Sequence, residues 1–364
     1  MYSFDPTEEQ QMLIDAVQRY ATNDLRPKAH DAEEEGEIPE KLIEKGWELG
    51  YLQASIPEEF GGFGERSLVT GVLAAEELAY GDFAGTLAIM APGLFAIPIT
   101  IAGSLLQKEN YLPEIIGGSW KAYSAALIEP AYDFDPMDLR TVAIKDGEGF
   151  LISGEKTYVP YAAEAEKMLL YARMGDKIQG FIISKGMEGV EIGERQKTLG
   201  IHALPLYPVK FNGVKVSADN RLGGDEGHAF EPILSSMQLA MASMALGVSR
   251  AALDYAIEYA KDRDVFGVKV AQKQAIAFML AEMATEIESI RLLVWEAAWM
   301  MDNGKPEAHR QAYLALTGAA DMAMMVTDRA VQTLGGHGYI REHPVELWMR
   351  NGRGFAMLNG LAII

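Results

Sequence analysis

The run FAMLNGLAII near the end of the chain sets a single amide, Asn359, among apolar residues. An amide can orient a ligand through its donor and acceptor, but it has no basic lone pair and cannot take a proton at neutral pH. The chain has no cysteine, which removes disulfides, thiolate nucleophiles, cysteine-ligated zinc and iron–sulfur clusters together. The six histidines show no metal-ligand spacing, and His337 and His343 fall in an expected loop, so no metal site is expected. The GGHG at 335–338 follows a helical pattern. A dinucleotide fingerprint needs a strand before it and a helix opened by it.

These residues must be positioned by a chain of 364 residues, 49% of them hydrophobic, enough for two or three domains. Residues 1–120 read as helices: TEEQQMLIDAVQRYATNDL has an N-cap threonine, acids in its first turn and apolar residues at helical spacing. From 121 to 225 the runs become β-rich, separated by Asp-Gly, Ser-Gly and Asn-Gly, which read as hairpin turns. From 226 to 364 the helical pattern returns, with a long amphipathic segment from Lys273 ending at Asn303–Gly304, a C-cap signal. Helices, an antiparallel β region, then a helical bundle make an α+β fold and not βαβ winding.

Acidic residues outnumber basic ones, 52 to 32, for a net charge of -20. No basic face is visible for phosphate, which argues against a nucleic-acid partner. The charged N-terminus lacks the apolar core of a signal peptide, and LFAIPITIAGSLL is shorter than a membrane span and contains Pro98. A cytoplasmic protein without a membrane span is the expectation.

Two C-terminal motifs, YAKDRDVFGVKVAQKQAIAFMLAEMA and AVQTLGGHGYIREHPVELWMR, closely resemble the acyl-CoA dehydrogenases, the medium-chain enzymes in particular. IPEEFGGFG, the Glu129–Pro130 pair and SGEKTYV extend the resemblance through the chain. It implies N-terminal helices, a barrel-like antiparallel β domain and a C-terminal four-helix bundle. It also implies FAD, an acyl-CoA thioester substrate, a dimer or tetramer, and electron transfer to an electron-transferring flavoprotein. In that family a glutamate removes the α-proton of the thioester while the β-hydride passes to the flavin.

The family's FAD lies across a subunit boundary, so the resemblance implies two sets of cofactor-binding residues. The set that reaches to the neighbour is kept. By similarity Arg263 and Phe266 contact the neighbour's FAD with Gln274 and Ile276 behind them, and Gln332, Gly335, Gly336 and Gly338 close on its pyrophosphate and ribose. Val265 and Lys273 depart from the usual threonine and histidine. The set that holds the chain's own flavin ring is eroded. Ile128 and Phe134 replace a threonine and a serine, and a Trp-Ile-Thr triplet becomes Tyr158-Val159-Pro160. Tyr158 retains a ring that could stack on flavin, while proline has neither hydroxyl nor N–H.

By the same resemblance Asn359 stands on the catalytic glutamate and Leu361 on a flavin-binding threonine. Met237 stands where some relatives place the glutamate instead, and Gln238 replaces an arginine. Asp133 and Asp135 are the nearby carboxylates left as alternative bases. Family members continue with one more helix beyond this point. Three readings follow. The first is a non-catalytic subunit that serves the FAD of a sister dehydrogenase chain. The second is a self-sufficient dehydrogenase with an unusual base. The third is a non-redox scaffold or binding protein of the same fold.

Overall fold

The computed structural model describes residues 6–364; the charged opening residues, read above against a leader, lie partly outside them. α1 (Glu8–Tyr20) begins at a reciprocal capping box between Thr7 and Gln10. One π-turn, Ala21–Leu25, leads into α2 (Arg26–Glu35), which stops at Gly36 in the left-handed conformation. α3 (Glu40–Trp47), α4 (Leu68–Gly81), α5 (Phe83–Met90), α6 (Gly93–Ala102) and α7 (Leu105–Ile116) complete the first helical layer. The apolar stretch around Pro98 is no continuous rod: α5 and α6 are bent by 50° and buried.

The middle region is one mixed sheet of β1 (Ser124–Ala126), β2 (Val142–Asp146), β3 (Gly149–Pro160), β4 (Lys167–Met174), β5 (Lys177–Ser184), β6 (Val190–Ile192) and β7 (Leu206–Ser217). Its order is β1-β4-β2-β3-β7-β6, with β5 also beside β4. Most pairs are antiparallel, while β1 and β2 run parallel to β4. Asp146 and Gly149 close the β2–β3 hairpin, as the Asp-Gly signal predicts. The other two turn expectations fail. Ser153–Gly154 and Asn212–Gly213 lie inside β3 and β7, where the register jumps between Ile152 and Gly154. They form a β-bulge of the kind that takes a positive-φ glycine, as a tight turn does, here Gly213 at 63°.

α8 (Glu231–Asp262) opens the bundle and is followed by the small hairpin β8 (Asp264–Val265) and β9 (Val268–Lys269). α9 (Gln274–Asp302) ends at Asn303 and Gly304, where its pattern predicts, and α10 (Ala308–Leu334) and α11 (Val345–Gly352) follow. α8 is long and apolar enough to cross a membrane by composition, yet 94% of that window is buried inside the protein. Its small residues admit close neighbours. A Cβ on Gly247 would sit 2.2 Å from the Glu76 carbonyl oxygen of α4 and 2.7 Å from the Tyr80 nitrogen. Gly247→Ala is therefore expected to cost about 1–3 kcal/mol by overpacking, read as a lower denaturant midpoint at unchanged slope. Beside this contact Arg250 bonds Glu77 at 2.7 and 2.6 Å and Glu76 at 2.9 Å, tying α8 to α4.

Candidate functional site

The loop between β1 and β2 is held by a buried pair. Glu129 accepts the N–H groups of Arg140 at 2.7 Å and Thr141 at 2.8 Å, and the Lys156 ammonium of β3 at 2.9 Å. Lys156 also donates to the Leu127 carbonyl at 2.9 Å. Burial pushes the Glu129 carboxyl up, but Lys156 and the N–H donors outweigh it and hold the group below the ordinary carboxylate range. Burial draws Lys156 down to about 8, against the pull of Glu129. Burial does not separate the charges, because each satisfies the other.

Pinned at that end, the loop presents Phe134 to Met137 to a cavity of about 530 Å³. α8 lines it with Leu234 and Gln238, α10 with Tyr313, Thr317 and Asp321, and the C-terminal segment with Met357 and Asn359. The structure thus brings Asn359, Gln238, Phe134 and Asp135 together. The Asn359 Oδ1 is buried and makes no hydrogen bond. The remaining base positions offer nothing further. Met237 is fully buried in the apolar core and is not a wall of the cavity. Asp133 also lies outside it, exposed and ion-paired with Arg140 at 2.5 Å. Asp135 is a wall, but its carboxylate caps the loop by accepting the Met137 N–H at 2.8 Å.

Asp321 went unnoticed in the sequence. It follows Tyr313 and Thr317 at intervals of four, the spacing that puts all three on one helix face, so the period could have found it.

Met357 also lines an adjoining cleft of about 310 Å³ with Tyr158, Ile201, Arg350 and Arg353. Two of its residues hold left-handed backbone, Tyr158 at φ 53° and the β-branched Ile201 at φ 49°. Such conformations cost on the order of 1–3 kcal/mol each and persist only where neighbours fix them. Here the Tyr158 N–H donates to Gln196 Oε1 at 3.0 Å and the Ile201 N–H to Asn351 Oδ1 at 2.9 Å. Ile128 is buried, as are Leu361 and Ile363. Pro160 ends β3, paired with Leu206.

The other implied residues gather at one end of the bundle. Arg263 caps α8, and Phe266 sits at the tip of the β8–β9 hairpin, 93% exposed at φ 56°. Gln274 opens α9 and is exposed, while Ile276 is half-buried. Gln332 is exposed on the last turn of α10, and the 3₁₀ turn Gly335–Tyr339 follows it. Tyr259 of α8 meets His337 of that turn at 2.8 Å, and Thr333 of α10 reaches Met279 of α9. A Cβ added at Gly335 or Gly336 would meet nothing within 4 Å, whereas at Gly338 it would strike the Val331 carbonyl at 2.4 Å. Gly338 thus serves the chain's own packing, and the other two leave backbone open to an incoming group.

Comparison with known proteins agrees along the whole chain. The N-terminal, middle and C-terminal domain models of acyl-CoA dehydrogenase match residues 7–119, 124–214 and 228–362. The CarC subunit of the caffeyl-CoA reductase-Etf complex of Acetobacterium woodii is 33% identical over 97% of this chain and 95% of its own. Cyclohex-1-ene-1-carbonyl-CoA dehydrogenase of Geobacter metallireducens is 33% identical over 95% and 93%. The structure of butyryl-CoA dehydrogenase from Megasphaera elsdenii superposes with a TM-score of 0.88 at 32% identity, covering 99% of this chain and 96% of that one. With its helical layer, mixed sheet and bundle in the same order, this chain belongs to the acyl-CoA dehydrogenase family.

Proposed function

We propose that this chain works as the non-catalytic subunit of a hetero-oligomeric acyl-CoA dehydrogenase, supplying adenosine-side contacts to FAD held by a sister chain. The observation that carries this reading is the contrast between the two ends of the molecule. At the cavity, the position of the family's base is an amide whose oxygen has no partner. Of the residues that the resemblance assigns to the flavin ring, Ile128 and Pro160 offer no side-chain donor, and the Tyr158 N–H is already spent on Gln196. The chain's own half therefore fits FAD poorly. The bundle end fits it well. Arg263 is exposed, Phe266 projects, and Gly335 and Gly336 leave room for a diphosphate to approach the backbone.

When bound, FAD supplies the acceptor for the β-hydride of an acyl-CoA thioester. In this reading Arg263 offers charge-assisted donors to the neighbour's cofactor, the Phe266 ring shields it from water, and Gln332 adds an amide. The relatives named for acyl-CoA substrates and for an Etf complex support an acyl-CoA thioester as substrate and an electron-transferring flavoprotein as acceptor. An absorption spectrum of the chain alone, then of the chain co-expressed with a sister dehydrogenase, tests the proposal. No flavin alone and about one FAD per pair of unlike chains is the expected result. Stoichiometric flavin in the lone chain would overturn it and favour self-sufficiency, with Asp135 and Asp321 as the carboxylates in the cavity. No flavin in either preparation would favour a scaffold.

A further inference from the structure

A separate cleft of about 630 Å³ opens between the Gly36–Glu44 segment, which runs from the end of α2 into α3, and the β domain near Trp120, Tyr161 and Arg195. It shares no lining residue with the Asn359 cavity or the Tyr158 cleft. Two aromatic rings meet in its lining: Trp120 and Tyr161 pack edge to face with centroids 5.1 Å apart. The Trp120 indole N–H is spent on the Ala88 carbonyl at 3.2 Å. Tyr161 differs. It is only 8% exposed, yet its hydroxyl makes no hydrogen bond within the described residues. Burial, then Glu164, push its pKa up, and its other charged neighbours are Arg195 and Glu37. All three line the cleft together with Tyr161 itself, and burial keeps its hydroxyl neutral.

The charge around this floor is one-sided. Glutamates 37, 40, 44, 164 and 166 line it against Lys121 and Arg195 alone. Arg195 is committed through its Nη2, which donates to the carbonyls of Gly36 at 2.7 Å and His202 at 2.6 Å, while its Nε is buried without a partner. Glu44 accepts the Trp120 backbone N–H at 3.3 Å and Glu164 the Tyr207 hydroxyl at 2.8 Å. Glu37, Glu40 and Glu166 make no ion pair among the described residues. A metal ion suits this arrangement poorly, because no three acidic or histidine side chains converge to hold one among the described residues. An organic cation suits it better: its stem packs on aromatic faces, which also attract the charge, while carboxylates stand at the rim.

We propose that this cleft binds a primary alkylammonium group, with the Tyr161 hydroxyl accepting from the ammonium and Glu37 and Glu164 balancing its charge. Such a group is carried by a free diamine or polyamine, or by a lysine side chain of another protein. Titration of the full chain with 1,4-diaminobutane, with spermidine and with Nα-acetyl-lysine methylamide, followed by calorimetry and Trp fluorescence, tests this. At least one amine is expected to bind with a Kd below about 1 mM at low salt and to weaken as salt rises. Tyr161→Phe is expected to weaken it about three- to tenfold and Glu37→Gln with Glu164→Gln about tenfold, at an unchanged melting temperature. Tighter binding of the free amines than of the lysine mimic would assign the site to polyamines, and the reverse order to a protein lysine. Absence of binding by every amine, binding indifferent to both variants, or equal binding of neutral 1-butanol would each overturn the proposal.

Discussion

Arg263→Ala, made in the complex with a sister chain, is expected to weaken flavin retention about 10- to 100-fold, the equivalent of one lost charge-assisted hydrogen bond. Flavin fluorescence released on dilution reads it directly. The side chain is exposed, and α8 is capped by the Arg263 backbone N–H on the Tyr259 carbonyl, so the fold itself should be undisturbed. Asn359→Ala in the same complex is expected to leave turnover within about twofold, because an amide at that position takes no proton. Asn359→Glu is also expected to add no turnover, since Ile128 and Pro160 would still leave the flavin ring without side-chain donors. A loss of turnover beyond about tenfold in Asn359→Ala would mean that this cavity, and not the partner's, performs the reaction.

The buried pair beneath the β1–β2 loop gives the second large effect. Lys156→Met strands the Glu129 carboxylate and is expected to cost about 3–5 kcal/mol, seen as a drop in denaturant midpoint. Adding Glu129→Gln should recover part of that, because it removes the stranded charge while its single amide oxygen still accepts one of the two N–H groups, which bond different carboxylate oxygens. The sign with pH can be stated. Glu129 titrates below its ordinary value in the folded chain, so its contribution is full above the unfolded pKa and is lost as pH falls through the folded one. Without Lys156 the carboxyl takes up its proton at higher pH. The gap between wild type and Lys156→Met should therefore narrow toward acid, and a constant gap would contradict the assignment.

Local signals in the sequence translated well where geometry is local. Thr7 with Gln10 starts α1, and Asn303 with Gly304 ends α9, because caps and stops are made by neighbouring residues. Asn212–Gly213 misled because positive φ serves turns and bulges alike, and only the pairing of β7 with β3 decides between them. The parallel pairing of β1 with β4 is likewise set by contacts far apart in sequence. At the cavity the resemblance led to Asn359, Gln238 and Asp135, but not to Asp321, one acid among many on an amphipathic helix. Loop carboxylates are commonly solvated or cap a turn, and here Asp133 does the first and Asp135 the second; which does which depends on the Glu129 anchor that fixes their neighbours.

The central helix α8 has a consequence for how the protein is made. Taken alone it has the length and apolarity of a membrane-crossing segment, and it is hidden chiefly by α4, which precedes it, and α10, which follows, with α9 and α11 adding to the later cover. A growing chain therefore carries a long greasy rod with half its cover missing until the last third has left the ribosome. During that interval it is a target for chaperones and for the machinery that sorts proteins to membranes. Slowing translation once α8 has emerged and before α10 has should raise aggregation or mis-sorting of this protein, whereas slowing it after α10 is outside the ribosome should not.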